Sequence, residues 1–270
     1  MKRRSFVKEI SLLSFASFSC ENMNPSPLVS DPRNFKFILS SDLHYGELVT
    51  NYESLINNFI VEIKKYIAKN KTDFIILNGD IIHDNPKYLP LAKNQLDTIG
   101  IEYFVNRGNH DMVSEMLWQQ TWGKNLNYIL DHKGLLFIFL DTSNIYGHYL
   151  SPDLIWLENT LNTYSKSRAI FLIIHIPQTG GTANAIENPA FVNLVRKYEC
   201  IKGIFHGHEH DQDGIFYIDK IPCIFDSHIG GRWGTSYNGF RVVEVNVAGF
   251  NTFMYDYTNN VETKIKSFVF

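Results

Sequence analysis

Residues 35–44 read FKFILSSDLH, a short apolar stretch that ends directly in a carboxylate and an imidazole. The alternation and the aromatic and β-branched content of this stretch predict a strand over residues 35–40. Because an extended chain points residues i and i+2 to the same side, Asp42 and His44 can reach one ion together. The stretch therefore predicts a strand with a pair of candidate metal ligands at its carboxyl end.

The composition is that of a folded globular chain. Of 270 residues, 44% are hydrophobic and 20% are charged, which excludes intrinsic disorder and low-complexity repeats. No apolar run reaches the roughly 18 residues that a membrane-spanning helix needs. The formal net charge of −3 gives no electrostatic reason to bind nucleic acid, and three cysteines cannot form a disulfide framework.

Outward from residues 35–44, helical and strand patterns alternate. Apolar spacing predicts helices at residues 51–69, 88–98 and 111–122, from Ser151-Pro152-Asp153 onward, and at 188–198. Apolar runs predict strands at residues 74–77, 103–105, 126–131, 135–141, 170–174 and 201–205. After residue 212 only strands are predicted, near 214–218, 221–225, 239–247, 250–257 and 262–269. This order, βα units followed by an antiparallel sheet, predicts one α/β (α+β) domain over residues 34–270.

Short polar clusters follow the predicted strands, at the strand ends where open α/β sheets place their ligands. They are Asp42-Leu43-His44, Gly79-Asp80, Gly108-Asn109-His110-Asp111, His175 and Gly207-His208-Glu209-His210. A mixture of carboxylate and imidazole suits Mn, Fe, Zn or Co. Each cluster alone is a weak signal, but their order, each after a strand, predicts a metal site.

The set resembles the calcineurin-like metallophosphoesterase family, whose signature is D-x-H, GD, GNH-[DE], H and GH-x-H. The resemblance covers residues 35 to about 245. It implies a four-layer αββα sandwich in which two mixed β-sheets are flanked by helices. It also implies a dinuclear centre of two divalent transition-metal ions.

The resemblance assigns a role to each motif residue. One metal is held by Asp42, His44 and His210, and a second by Asn109, His175 and His208, while Asp80 bridges both. His110 contacts the phosphate or protonates the leaving group, and Asp111 orients His110. The implied reaction is hydrolysis of a small phosphoester by attack of a metal-bound hydroxide.

The branch of the family bears on the substrate. Purple acid phosphatases have D-x-G and a Tyr where this chain has His44 and His83. Together with Trp156-Leu157-Glu158, the motifs look closest to the cyclic-nucleotide phosphodiesterase-like branch, which favours a phosphodiester. A phosphomonoesterase or nucleotidase of the same fold and a non-catalytic metal-binding scaffold remain the alternatives.

Three further residues are candidates for contacting the substrate. Arg232 and His228 lie in a Gly-rich loop, and Arg107 precedes the GNHD motif. A guanidinium can grip a phosphate through two hydrogen bonds, although an exposed loop Arg without a ligand is equally compatible with the pattern. The loops expected to select the substrate are residues 45–50, 84–88, 143–149, 178–188 and 227–238. Their sequences do not identify it, and the oligomeric state also stays open.

The first residues are interpreted as an export signal. Residues 1–19 combine a basic start with a short apolar stretch, as in a signal peptide, and RRSFVK at residues 3–8 resembles the twin-arginine export motif. Residues 17–20 resemble a loose bacterial lipobox in which Cys20 would be lipidated and anchor the chain to a membrane. Residues 20–33 contain three prolines and predict a flexible tether. The sequence thus predicts an exported, membrane-anchored protein of the bacterial periplasm or cell envelope.

Overall fold

The computed structural model describes residues 31 and 33–270, and Asp31–Phe270 form one compact unit. The predicted signal segment, Cys20 and most of the predicted tether lie outside the described residues. Among the residues that are described, no helix is both long and apolar enough to cross a membrane.

The elements follow one another in the order that the sequence predicts. They are β1 (Phe35–Ser40), α1 (Tyr52–Lys69), β2 (Phe74–Asn78), α2 (Leu89–Leu96), β3 (Tyr103–Asn106), α3 (Glu115–Trp122), β4 (Tyr128–His132), β5 (Leu135–Leu140), α4 (Leu154–Thr163), β6 (Ile170–Ile174), α5 (Pro189–Val195), β7 (Ile201–His206), β8 (Ile215–Ile218), β9 (Ile221–Phe225), β10 (Gly239–Val245), β11 (Gly249–Asp256) and β12 (Val261–Val269). Short 3₁₀ turns, Pro86–Tyr88 and Asp97–Ile99, flank α2.

The strands form two six-stranded sheets. The first has the order β12-β11-β10-β1-β2-β3, in which β1, β2 and β3 are parallel and the other pairs are antiparallel. The second has the order β4-β5-β6-β7-β9-β8, parallel from β5 to β9 with an antiparallel strand at each edge. Both sheets are therefore mixed; the parallel strands form one half of the first sheet, with β3 at its edge, and the centre of the second.

Alternation along β1 shows how the layers are built. Phe37 points between the sheets, where its ring stacks on Phe74 at a centroid distance of 5.3 Å and meets Phe137 edge-on at 5.1 Å. The next residue, Ile38, points the other way and packs against Phe59 of α1. A third apolar cluster joins the outer face of the second sheet to α4 and α5. The predicted αββα sandwich of two mixed sheets is confirmed.

Two predicted helix starts are wrong. The helix predicted from residue 111 begins at Glu115, because the Ser114 side chain accepts the N–H of Leu117 and caps it there. The helix predicted from Ser151 begins at Leu154, capped by Asp153, whose carboxylate accepts the N–H of Trp156. In both places a good capping residue stands closer to the apolar run than the residue first predicted.

Candidate metal centre

The carboxyl ends of five strands bring the predicted ligands together. Asp42 and His44 follow β1, Asp80 follows β2 and Asn109 follows β3, while the second sheet contributes His175 after β6 and His208 and His210 after β7. All seven side chains are buried. The two sheets thus meet at a polar cluster drawn from both.

Within the described residues, these side chains include two separate groups that could hold an ion. One is Asp42, His44 and His210, and the other is Asp80, His175 and His208; in each group one ligand atom per residue lies within 4.8 Å of the others. The first group consists of the residues predicted for one metal; the second contains His175 and His208 of the other predicted set together with Asp80.

The carboxylates connect the two groups. Asp80 Oδ2 lies 3.2 Å from His175 Nε2 and 3.7 Å from His44 Nε2, so it faces one imidazole of each group. Asp42 Oδ1 lies 3.2 Å from His210 Nε2 and 3.9 Å from His175 Nε2. Both carboxylates therefore face both groups, and Asp80 is within reach of each, as a shared ligand would have to be.

Several inward-facing atoms have no hydrogen-bond partner although they are buried, namely Asp42 Oδ1, Asn109 Oδ1, His175 Nε2 and His208 Nε2. A buried polar atom that lacks a partner is costly, so native proteins rarely leave one, and still more rarely leave several in one place. Carboxylate, amide and imidazole are ligands for divalent transition metals. The residues present fit a pair of such ions.

Neighbouring groups orient these ligands. His175 donates its Nδ1–H to the Asn78 carbonyl at 2.6 Å, and His210 donates its Nδ1–H to the Trp233 carbonyl at 3.0 Å. Each bond fixes the tautomer in which Nε2 carries the lone pair toward the cluster. Asp42 is held in the same way, because its Oδ2 accepts the Ser41 hydroxyl and the His208 N–H, which leaves Oδ1 for an ion.

The proton affinities reflect the burial of these charges. Burial lowers the pKa of His44 to about 3. Burial opposes protonation of His175 as well, but the carboxylates of Asp80 and Asp42 outweigh it and raise the pKa of His175 to about 10. An entering cation has to displace such a proton, so metal loading is favoured as the pH rises.

Backbone strain is concentrated here. Asp42, His44, Asp80 and His208 have φ values of 57°, 47°, 51° and 71°, in the left-handed region that residues other than glycine rarely adopt. Such strain costs on the order of 1–3 kcal/mol per residue and is typical of functional sites. Gly108 is needed for a different reason: any side chain at this position would collide with Asp80.

The surroundings of His110 correct one prediction. Its Nδ1 lies 2.7 Å from Asp84 Oδ1, and its ring stacks on His83 at a centroid distance of 4.5 Å. Asp111 does not touch the ring but accepts the N–H groups of Gly108 and Ile82. The prediction that Asp111 orients His110 is therefore wrong: Asp84 contacts the ring, and Asp111 holds the loop backbone.

Two predicted substrate contacts are also wrong. Arg107 is buried and donates two hydrogen bonds of 3.0 and 2.6 Å to Asp141. Its guanidinium therefore does not line the cleft and is not available to a substrate. His228 lies behind the cluster, with its ring parallel to that of His210 at 5.2 Å and its Nδ1 2.6 Å from the Gly230 carbonyl. Arg232 alone of the three lines the cleft above the cluster, and it is exposed.

That cleft has a volume of about 570 Å³ and contains His110, Asp80 and three of the histidines of the cluster at its floor. Its walls come from all five loops that the sequence marks as candidates for substrate selection. His83, Asp84 and Trp233 also line it; the sequence analysis places Asp84 and Trp233 in two of those loops but assigns no role to any of the three. The sequence signal for a role of Asp84 is its position four residues after Asp80, in the loop that follows the same strand.

An αββα sandwich with two Asp/His groups where its sheets meet is the architecture of a metal-dependent phosphoester hydrolase. Residues 35–212 match the family model described as calcineurin-like phosphoesterase, and the chain belongs to that family. It contains the family's predicted ligands and the GNH histidine, so we describe it as a phosphoric ester hydrolase.

Individual relatives are distant. A protein named "Probable cyclic nucleotide phosphodiesterase" from Vesicomyosocius okutanii is 28% identical over 190 residues, which are 66% of this chain and 79% of that protein. The chicken double-strand break repair protein MRE11 is 22% identical over 169 residues, but this chain spans only 23% of its length. A dimetal phosphatase from Danio rerio has a similar structure, with a TM-score of 0.69, 13% identity and coverage of 87% of this chain and 98% of that one. At that identity the likeness shows the fold alone.

Proposed function

We propose that the protein hydrolyses phosphodiesters at a centre of two divalent metal ions. The observation that carries the proposal is the pair of Asp/His groups with partnerless buried atoms at the floor of the cleft. Asp42, His44 and His210 would hold one ion, and Asn109, His175 and His208 the other, with Asp80 shared between them. Mn, Fe, Zn and Co are the metals that these ligands suit.

When bound, the two ions would supply the positive charge that attracts a phosphate group and activates water. The protein's own contribution is to keep that charge from being cancelled. Asp42 and Asp80 provide the only carboxylates of the predicted ligand set, and the remaining ligands are imidazoles and an amide. The floor of the cleft therefore keeps a positive charge for an anionic substrate.

His110 is placed to handle a proton. Burial favours the neutral ring, but Asp80 and Asp84 outweigh it and raise the pKa of His110 above its ordinary value. The contact between Nδ1 and Asp84 orients the ring and leaves Nε2 as the atom that can give a proton to a leaving alkoxide.

A diester is favoured over a monoester on charge. A phosphomonoester carries more negative charge than a diester, and the buried guanidinium of Arg107, next to the GNHD motif, is already bound to Asp141. The cations that line the cleft are Lys87 and Arg232, and both are exposed. The relatives named as cyclic nucleotide phosphodiesterases agree with this choice.

The test combines elemental analysis with a matched pair of substrates. We expect two metal ions per chain and turnover that a chelator abolishes and Mn, Fe, Zn or Co restores. We also expect bis(p-nitrophenyl) phosphate to exceed p-nitrophenyl phosphate in kcat/KM by about tenfold or more. A preference for the monoester would indicate a phosphomonoesterase or nucleotidase. A protein that holds two metals but turns over neither ester, nor any cyclic nucleotide, would be a non-catalytic scaffold.

We propose further that the chain is exported and anchored through a lipid on Cys20, on the strength of the twin-arginine-like and lipobox-like residues. Arg3→Lys combined with Arg4→Lys should retain the precursor inside the cell. Cys20→Ser should still be exported but leave the membrane fraction, since a tether without a lipid has little affinity for a bilayer. Fractionation and labelling with a radioactive fatty acid test both; a wild type that takes up no label would contradict the anchor.

A further inference from the structure

The cleft has an apolar rim that the reaction at its floor does not require. Leu48 and Val49 lie on the loop after β1 and line the cleft, and they are 84% and 71% exposed. An exposed apolar side chain is common when it stands alone, but adjacent ones form an apolar patch, and such patches mark binding surfaces. Because this patch lies on the wall of the cleft, the partner that it suits is part of the substrate.

Trp233 provides a flat surface on the wall of the same cleft. Its indole ring stacks on the imidazole of His210 with a centroid distance of 4.4 Å and an interplanar angle of 8°. The Trp233 carbonyl also accepts the Nδ1–H of His210, so both the ring and the backbone are tied to a predicted metal ligand. The side chain nevertheless remains 45% exposed. It therefore extends as an aromatic surface from the floor of the cleft to its rim.

A second aromatic ring lies near the other predicted metal position. Tyr149 lines the cleft and its ring meets that of His208 edge-on at 4.8 Å. The cleft thus has an aromatic side chain beside one ligand of each Asp/His group. Aromatic side chains bind flat rings by stacking and by edge contacts, which aliphatic walls alone cannot do.

The size of the cleft also indicates that it holds a part of the substrate beyond the phosphate. At about 570 Å³ it lies within the range of small-molecule sites, and a phosphate group at the floor would leave most of it empty. Two cations, Lys87 and Arg232, and two carboxylates, Glu47 and Asp84, also line the cleft, so these charges balance. The part of the substrate beyond the phosphate is therefore expected to carry no net charge.

We infer that the rim formed by Leu48, Val49 and Trp233 binds a flat aromatic arm of the phosphodiester. This rests on the proposed function and names the class of diester that the site prefers. The indole supplies the stacking surface, and the two aliphatic side chains cover the arm from the loop after β1. These residues determine specificity and take no part in bond breaking.

The test is inhibition by symmetrical diesters, because in these either arm can lie on the rim. Dimethyl, dibenzyl and bis(cyclohexylmethyl) phosphate carry the same charge and have poor leaving groups, so each is measured as a competitive inhibitor of the hydrolysis of methyl p-nitrophenyl phosphate. We expect the wild-type metal-loaded protein to bind dibenzyl phosphate about 10- to 100-fold more tightly than dimethyl phosphate. Bis(cyclohexylmethyl) phosphate should lie between them, since it has the apolar area without the aromatic face.

Variants of the rim separate it from the catalytic floor. Leu48→Ser combined with Val49→Ser should reduce the dibenzyl-to-dimethyl ratio by about fivefold or more. The inhibition constant of dimethyl phosphate should not change. Methyl p-nitrophenyl phosphate has an aromatic arm of its own, so its KM should rise while its kcat stays unchanged. Trp233→Ala should remove the advantage of dibenzyl over bis(cyclohexylmethyl) phosphate; its metal content is measured as well, because the indole contacts His210. Ile155→Ser, on α4 and 77% exposed but outside the cleft, is the matched control and should leave every ratio unchanged.

The outcomes distinguish the two proposals. A wild-type ratio near one, or a ratio that Leu48→Ser and Val49→Ser leave intact, would overturn the inference while turnover of the methyl ester still supports the proposed function. Equal inhibition by the dibenzyl and bis(cyclohexylmethyl) esters would also overturn it, because the rim would then recognise apolar area without a preference for a ring. Absence of metal-dependent turnover of any ester would overturn the proposed function itself.

Discussion

Asp80→Asn is expected to lower metal occupancy at both groups and to reduce turnover by about 10²–10³-fold. The carboxylate faces His175 of one group at 3.2 Å and His44 of the other at 3.7 Å. An amide has the same shape but no charge, and it is a poor bridge between two cations. Elemental analysis should therefore show the loss of both ions, and not of one alone.

The substitution is well suited to this test because it spares the surrounding backbone. Asp80 Oδ1 accepts the His110 N–H at 2.7 Å, and an Asn side-chain oxygen can accept the same bond. Asp256→Asn is a matched control, since this buried carboxylate accepts backbone N–H groups from Thr258 and Asn259 in another part of the fold. It should keep both metals. Two metals and normal turnover in Asp80→Asn would show that the ligand assignment is wrong.

The order of strands and helices and the polar clusters at the strand ends were predictable from periodicity, whereas the two-sheet sandwich and the division of the ligands between two metals were implied by the resemblance to the family. Buried parallel strands are continuous apolar runs such as Phe74–Leu77, and polar residues immediately after such runs must lie at the carboxyl edge of a sheet. The order of the motifs then places Asp42, Asp80 and His175 within reach of one another without any knowledge of the loops. These are the features that the structure reproduces most closely.

What the sequence could not show depends on contacts between loops. Asp111 is next to His110 in the chain, which made it the natural partner, but the turn sends its carboxylate to the N–H groups of Gly108 and Ile82. Asp84 reaches the ring from a different strand end. Adjacency in sequence therefore failed as a guide to contact where the backbone turns sharply.

The misplaced start of α4 has a similar cause. Ser151 and Asp153 are both good capping residues, and the local sequence does not choose between them. In the structure the Ser151 hydroxyl accepts a hydrogen bond from the Asn188 side chain at 2.8 Å, a partner 37 residues away. Asp153 is left to cap the helix. Such a choice is made by tertiary contacts and not by the segment itself.

His110→Ala is expected to leave metal content unchanged and to lower kcat by about 10²–10⁴-fold for diesters whose leaving group is an alkoxide. The imidazole belongs to neither Asp/His group; it forms a third group with His44 and His83 that has no carboxylate, so its loss should spare the predicted pair of ions. With a nitrophenolate leaving group, which needs little protonation, part of the loss should be recovered. Equal losses on both kinds of substrate would argue that His110 positions the phosphate instead of donating a proton.

The same reasoning predicts how Asp84 behaves. If it acts only by orienting His110 through the 2.7 Å contact, Asp84→Asn should show the same dependence on the leaving group but a smaller loss of kcat, about tenfold. In a His110→Ala background, Asp84→Asn should then have no further effect, because residues that act through one another are not additive. An Asp84→Asn loss that persists in full without the imidazole would mean that Asp84, which is exposed and lines the cleft, acts on the substrate directly. Metal analysis of each variant is the control, since the cycle can be interpreted only if all four proteins hold the same ions.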